Sequence, residues 1–268
     1  MTLRKGAAAA TLASALLLTS CISSPRTIDG YRDNALVSPA TASAPIEVVD
    51  SDAFKEEIAK NEEDLDSRIA IAMYSPEQQM SFGSKATMPV WSTIKVPIAL
   101  ASLENCSYSD ERRDELIAAS LEWSDNDAAY ALWQCLGSES EAQEQVEDIV
   151  AESGTTIKIA SAYGMTEWSV PAQAHFGYTL TELDADNPVI EGMSNVIDEQ
   201  RWGLGEIDNA VFKGGWSDTD EGTFHSRQFG YIEIDGEQYG IAIAAESLTG
   251  SQEDAQDALT ELVDLLDL

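Results

Sequence analysis

The chain has 268 residues, with 48 acidic against 15 basic side chains and a formal net charge of −33. That balance argues against nucleic acid as a partner, since phosphate contact needs a basic surface, and against electrostatic adhesion to anionic lipid. It reads instead as a well-solvated surface suited to high salt, around a chain long enough for one domain with a substantial core.

The first element is a leader. "MTLRKGAAAATLASALLLTSC" has a basic start at Arg4 and Lys5, then a run of small residues and leucines too short to anchor in a bilayer. Its end, Leu18-Thr19-Ser20-Cys21, resembles a bacterial lipobox. In that reading residues 1–20 are removed, Cys21 carries lipid, and the protein is tethered to the outer face of the cell membrane. An ordinary signal peptide with an incidental Cys21 is the other reading. Residues 21–50, rich in Ser, Pro, Ala and Thr without periodicity, read as a tether, and residues 51–268 as the domain.

Within the domain, "SDAFKEEIAKNEEDLDS" places Phe54, Ile58 and Leu65 on roughly one face of a helix with Ser51 as its cap. "RIAIAMYS" and "QQMSFGS", separated by Pro76 and Glu77, read as a hairpin. Pro89 then precedes the apolar run "VWSTIKVPIALASL", a buried helix. Residues 110–153 read as helical in three stretches, residues 154–171 hold a loop, and "VPAQAHFGYTLTEL" returns to helix. "NAVFKGGWS" is a strand, and two more strands flank Asp235-Gly236, a strong hairpin signal. A last helix carries Ala255, Leu259, Leu262, Val263 and Leu266 at helical spacing. Strands from both chain ends with a helical insertion between them make the class α+β, with a five-stranded antiparallel sheet.

Ser92 and Lys95 lie three residues apart, so on a helix an amine and a hydroxyl share one face. That pair alone is uninformative. Two further clusters change its weight. "EWSDNDAAY" carries Ser124, Asp125 and Asn126 at a helix start, and "FKGGW" carries Lys213, Gly214 and Gly215 on a strand. Ser-x-x-Lys, Ser-Asp-Asn and Lys-x-Gly in this order resemble the motif set of class A β-lactamases and penicillin-binding proteins. The resemblance extends over the whole domain, including the hairpin before the nucleophile helix and the hairpin and helix after "FKGGW". It implies the β-lactamase/transpeptidase-like fold in a lipoprotein member of actinobacterial type.

The resemblance implies roles. Ser92 would be the nucleophile and Lys95 its base, a lysine able to act only when burial or positive charge lowers its pKa. Ser124 would relay a proton to the leaving nitrogen, Asn126 would donate to the substrate's amide, and Asp125 would hold its loop. Lys213, Gly214 and Gly215 would line the substrate. The backbone N–H groups of Ser92 and Trp216 would form the oxyanion hole. The substrate implied is a small β-lactam or cell-wall peptide, with no cofactor, no metal and no nucleic acid.

Two departures qualify this. The family's deacylating Glu has no counterpart in "GTTIKIASAYGMTEWSVP", whose only acid, Glu167, falls too late. Gly214 stands where the family has Ser or Thr, which removes a charge-assisted hydrogen bond to a substrate carboxylate of roughly 1.5–3 kcal/mol. The sequence therefore supports an acyl-enzyme that forms and lingers. It leaves open a D,D-peptidase, and a non-catalytic surface lipoprotein that binds wall fragments or β-lactams. Cys106 and Cys135, an even pair outside the cytoplasm, read as a disulfide, with two buried thiols as the alternative. His175 and His225 read as structural, since no metal-ligand spacing is present.

Overall fold

The computed structural model describes residues 51–266 and 268; the leader, Cys21 and the tether lie outside them. The first described helix is α1 (Ser51–Asp64); its start coincides with the first described residue, so the expected cap lies at the edge of the described residues. Strands β1 (Ser67–Tyr74) and β2 (Gln79–Gly83) form the hairpin expected from the sequence. A short β3 (Thr87–Pro89) leads to a 3-10 turn, Trp91–Ile94, and then to α2 (Lys95–Asn105). Helices α3 (Asp110–Glu122), α4 (Asn126–Cys135) and α5 (Glu139–Glu152) follow, each opened by a side-chain cap from Ser109, Asp125 or Ser138.

The segment after α5 contains a 3-10 turn at Tyr163–Met165 and a three-residue strand, β4 (Glu167–Ser169), which pairs antiparallel with β3. Then come α6 (Val170–Thr179) and the seven-residue α7 (Pro188–Ser194). Strands β5 (Val211–Asp218), β6 (Phe224–Ile234) and β7 (Glu237–Ser247) precede α8 (Gln252–Asp264).

The main sheet is five-stranded and antiparallel in the order β2-β1-β7-β6-β5. Side chains alternate across it. Ile69, Ile71 and Met73 of β1 pack with Ile241 and Ile243 of β7 against α1 and α8. Ala70, Ala72, Ala242 and Ala244 meet the helical layer built around α2 and α6 on the other face. On β5 the same period puts Lys213 and Gly215 on the α2 side, with Val211, and Gly214 and Trp216 on the α8 side, with Phe212.

Every residue of α2 from Lys95 to Ser102 is buried, so this helix is the axis of the helical layer. A disulfide joins Cys106, just past α2, to Cys135 at the end of α4. Among the described residues no helix is long and apolar enough to cross a membrane.

Candidate active site

Three elements converge where the sheet edge meets the helical layer. Ser92 sits in the 3-10 turn and is half-buried; Lys95 is the first residue of α2 and is 2% exposed. The turn is entered through Trp91 at φ 47°, a left-handed conformation rare for a bulky side chain. Ser124, in the loop between α3 and α4, is also left-handed at φ 56°. Each such residue costs of order 1–3 kcal/mol, and such strain persists only where the surroundings over-determine it. Those surroundings are visible here.

A buried polar chain fixes the Ser92 turn from behind. Thr93 donates its hydroxyl to the Val90 carbonyl at 2.6 Å and accepts from Gln173 Nε2 at 3.0 Å. Gln173 in turn accepts a short bond from Arg227 Nη2. Arg227, on β6 and fully buried, also donates to the carbonyls of Met88 at 2.7 Å, Pro89 at 3.2 Å and Trp168 at 3.3 Å. Burial lowers its pKa to about 9, and the charge of Glu167 opposes the shift. One guanidinium thus ties β3, β4 and α6 to the sheet. Neither Arg227 nor Gln173 was marked by the sequence, because a lone Arg on a strand gives no sign of pointing inward.

The amines come next. Lys95 Nζ donates to the Ser124 carbonyl at 2.6 Å, to Ser124 Oγ at 3.1 Å and to Asn126 Oδ1 at 2.8 Å. Lys213 Nζ donates to the same Ser124 Oγ at 3.0 Å and to its neighbour Gly214's carbonyl at 3.0 Å. The Ser124 hydroxyl therefore lies between two lysines and accepts from both. Among the described residues the hydrogen bonds of Lys95 Nζ go to Ser124 and Asn126 and not to Ser92, so the amine rests on the Ser124 side of the site. Burial pulls the Lys95 pKa down to about 8, partly countered by the carboxylate of Asp125. Burial, and then the charge of Lys95, push Lys213 well below the usual lysine range.

Asn126 spends its oxygen on Lys95, which leaves its amide N–H₂ as the donor it can offer outward; the residue is exposed. Asp125 is exposed and caps α4, its Oδ1 accepting from Ala128 N at 2.8 Å. Gly215 lies against the Ser92 turn. A Cβ there would sit 2.6 Å from Ser92 N, 2.9 Å from Thr93 N and 2.9 Å from the Val90 carbonyl, so only glycine lets β5 run along that backbone. Trp216 is the next residue on the strand. Gly214 differs: a Cβ there would make ordinary 3.6 Å contacts with Gln228 Cγ and Trp216 Cζ3.

The Tyr163–Met165 turn packs beside Trp91, with Gly164's Cβ position 3.7 Å from the Trp91 carbonyl oxygen. This turn carries no acid. Glu167 lies beyond it on β4, exposed, and lines a cleft of about 560 Å³ with Trp91, Met165, Ser217 and His225. His225 is buried with its Nε2 3.4 Å from Glu246 Oε1, and His175 stacks on Tyr74 at 3.8 Å between ring centres.

No protein-family profile matches the chain, and no curated protein matches it in sequence. In three dimensions it is similar to the TLA-3 extended-spectrum β-lactamase, at a TM-score of 0.63 and 15% identity over 81% of this chain and 98% of that one. A class A β-lactamase from Bacteroides cellulosilyticus gives a TM-score of 0.62 at 15% identity, over 80% and 96% of the two chains. A β-lactamase from Chitinophaga pinensis gives 0.64 at 16% identity, over 80% and 97%. The chain has the β-lactamase-like fold.

Proposed function

We propose that this chain is a serine acyl-transfer hydrolase that forms an acyl-enzyme on Ser92 with β-lactams or cell-wall peptides and releases it slowly. The observation that carries this reading is the Lys95–Ser124–Lys213 hydrogen-bonded set beside the Ser92 turn. A serine hydroxyl becomes a nucleophile only when a nearby base takes its proton. Lys95, with its pKa near 8, is neutral in a useful fraction of molecules at ordinary pH.

In the step so assigned, Ser92 Oγ attacks the carbonyl carbon and its proton passes to Lys95 Nζ. The oxyanion is held by the N–H groups of Ser92 and Trp216. The C–N bond then breaks, and the proton travels from Lys95 through the Ser124 hydroxyl to the leaving nitrogen. Asn126 and Lys213 hold the substrate. Deacylation needs a base for water, and the turn packed beside Trp91 carries Tyr163, Gly164 and Met165 with no carboxylate. That supports a long-lived adduct.

On the same reading the leader is removed before Cys21 and the lipidated Cys21 tethers the domain outside the cell.

The test is a time course of intact mass after adding a β-lactam to the folded domain. An adduct that persists for many minutes while drug remains supports the proposal, and fits a D,D-peptidase as the physiological activity. Rapid loss of the adduct with drug consumption would make the chain an efficient β-lactamase and overturn slow release. The missing hydroxyl at Gly214 favours a second reading, a surface lipoprotein that binds such ligands without reaction; absence of any adduct together with measurable binding would establish it.

A further inference from the structure

A row of polar side chains crosses the sheet one step beyond the Ser92 turn. Ser217 of β5 pairs with His225 of β6, His225 with Glu246 of β7, and Glu246 with Arg68 of β1. Directly opposed residues of antiparallel strands project from one face. That face is also Gly215's, and Gly215, which adjoins Ser92 N, lies two residues or about 7 Å back along β5 from Ser217. Ser217, His225 and Glu246 thus form one wall of the cleft of about 560 Å³ that Trp91, the residue before Ser92, also lines.

The wall holds an acceptor with nothing to accept. Glu246 is buried and fully engaged. Its Oε2 pairs with Arg68 at 3.2 Å and Lys85 at 3.0 Å, and its Oε1 accepts from the Thr223 hydroxyl at 3.2 Å and lies 3.4 Å from His225 Nε2. A carboxylate only accepts, so Nε2 carries the ring proton. Burial, then the charge of Lys85, lowers the His225 pKa against the pull of Glu246 and Glu167, which leaves the ring neutral at neutral pH. His225 is 6% exposed, and its Nδ1 is a buried acceptor without a partner.

The rest of the cleft supplies negative charge and an aromatic surface. Glu167 of β4, with Asp218, Asp220 and Glu221 at and just past the end of β5, lines it; all are exposed and have no ion pair among the described residues. Lys85 lines it too, but is already paired with Glu246. The Trp91 ring centre stands 6.0 Å from that of His225, and its Nε1–H, also buried without a partner, is one donor against these acceptors. A free acceptor, several carboxylates and an indole suit a ligand that donates hydrogen bonds and carries positive charge.

We infer that this cleft binds a primary ammonium on an alkyl stem, with the carboxylates at its mouth as countercharge and His225 Nδ1 as the inner acceptor. The ammonium reaches Nδ1, which is now covered, by turning a lining side chain aside. Two sources share this chemistry: a free amine, or the acyl side chain of a donor bound at Ser92. The second source rests on the acyl-transfer reading above; the site itself does not.

The first arm of the experiment titrates the protein with hexylammonium, and separately with hexanoate, at constant ionic strength. The Trp91 indole N–H and the His225 ring nitrogens are followed by NMR. Hexylammonium should shift both saturably and hexanoate neither. Glu167→Gln and Asp220→Asn should each weaken binding by up to about fivefold. Glu144→Gln, an exposed acid on α5 away from the cleft, should leave it unchanged. Equal weakening in all three variants would reveal unspecific attraction to an acidic surface and overturn the inference, as would a His225 ring that does not respond.

The second arm compares acylation by three penicillins with side chains of similar length: 6-aminohexanoyl, heptanoyl and adipoyl. In each the ring C–N bond breaks, so intact mass reports the adduct. Rates in the order cation, neutral, anion, with about tenfold between first and last, place the ammonium on the acyl donor. Equal rates alongside hexylammonium binding assign the site to a free amine. No hexylammonium binding overturns the inference while leaving acyl transfer intact. No adduct with any penicillin defeats the acyl-transfer reading, and the amine titration still decides the site.

Discussion

On the proposed reading, the protonation state of Lys95 sets the rate of acylation. An ordinary lysine at 10.5 would be neutral in about 0.03% of molecules at pH 7, whereas a pKa of about 8 makes it neutral in about a tenth, roughly a 300-fold gain. The neutral form is the base, so the acylation rate constant should rise with pH through about 8 and level off. Between pH 7 and pH 9 the gain is about tenfold.

The Asp125 carboxylate raises the Lys95 pKa against the effect of burial, so removing it has a definite sign. Asp125→Asn removes the charge and keeps a residue type that caps helices equally well, so α4 should hold. The pH profile should then shift to lower pH, with faster acylation at pH 6–7 and an unchanged plateau. The assay is the second-order rate of adduct formation by quenched intact mass, at constant ionic strength. A profile flat from pH 6 to 9, or a midpoint that moves upward in Asp125→Asn, would refute Lys95 as the base.

Other variants probe the scaffold. Gly215→Ala puts a Cβ 2.6 Å from Ser92 N, against backbone on three sides, and should slow acylation by about 100-fold or more, read by the same assay. Arg227→Met leaves the carbonyls of Met88, Pro89 and Trp168 without their donor and should cost roughly 2–4 kcal/mol in denaturant unfolding, even though acylation occurs elsewhere. The Cys106–Cys135 bridge closes a loop of 29 residues, so reducing it should cost about 3.5 kcal/mol by loop entropy, seen as a lower unfolding midpoint with reductant.

The main sheet and the order of the helices were legible because their signals are local: alternation in β1 and β7, the Asp235-Gly236 turn, and helical spacing in α8. The three motifs that carry Ser92, Lys95, Ser124, Asn126 and Lys213 could be picked out because their residue types are few and ordered. Other features depend on contacts distant in sequence. Strands β3 and β4 have three residues each, too short to show a period, and exist through pairing across some 80 residues. The α7 helix has seven residues and opens on Asn187-Pro188, a pair that reads as a turn. The inward aim of Arg227 and the left-handed turn at Trp91 are fixed by packing alone. The pair Ser92 and Lys95 shows the same division: spacing placed them together, but the amine's actual partners, Ser124 and Asn126, come from another helix boundary.

The central claim is that Ser92 is the acylated residue. Peptide mapping of the β-lactam-treated domain tests it most directly. The account predicts the added mass on the peptide that contains Ser92, and none in Ser92→Ala under the same conditions. An adduct that maps to another residue, or that survives Ser92→Ala, would contradict it.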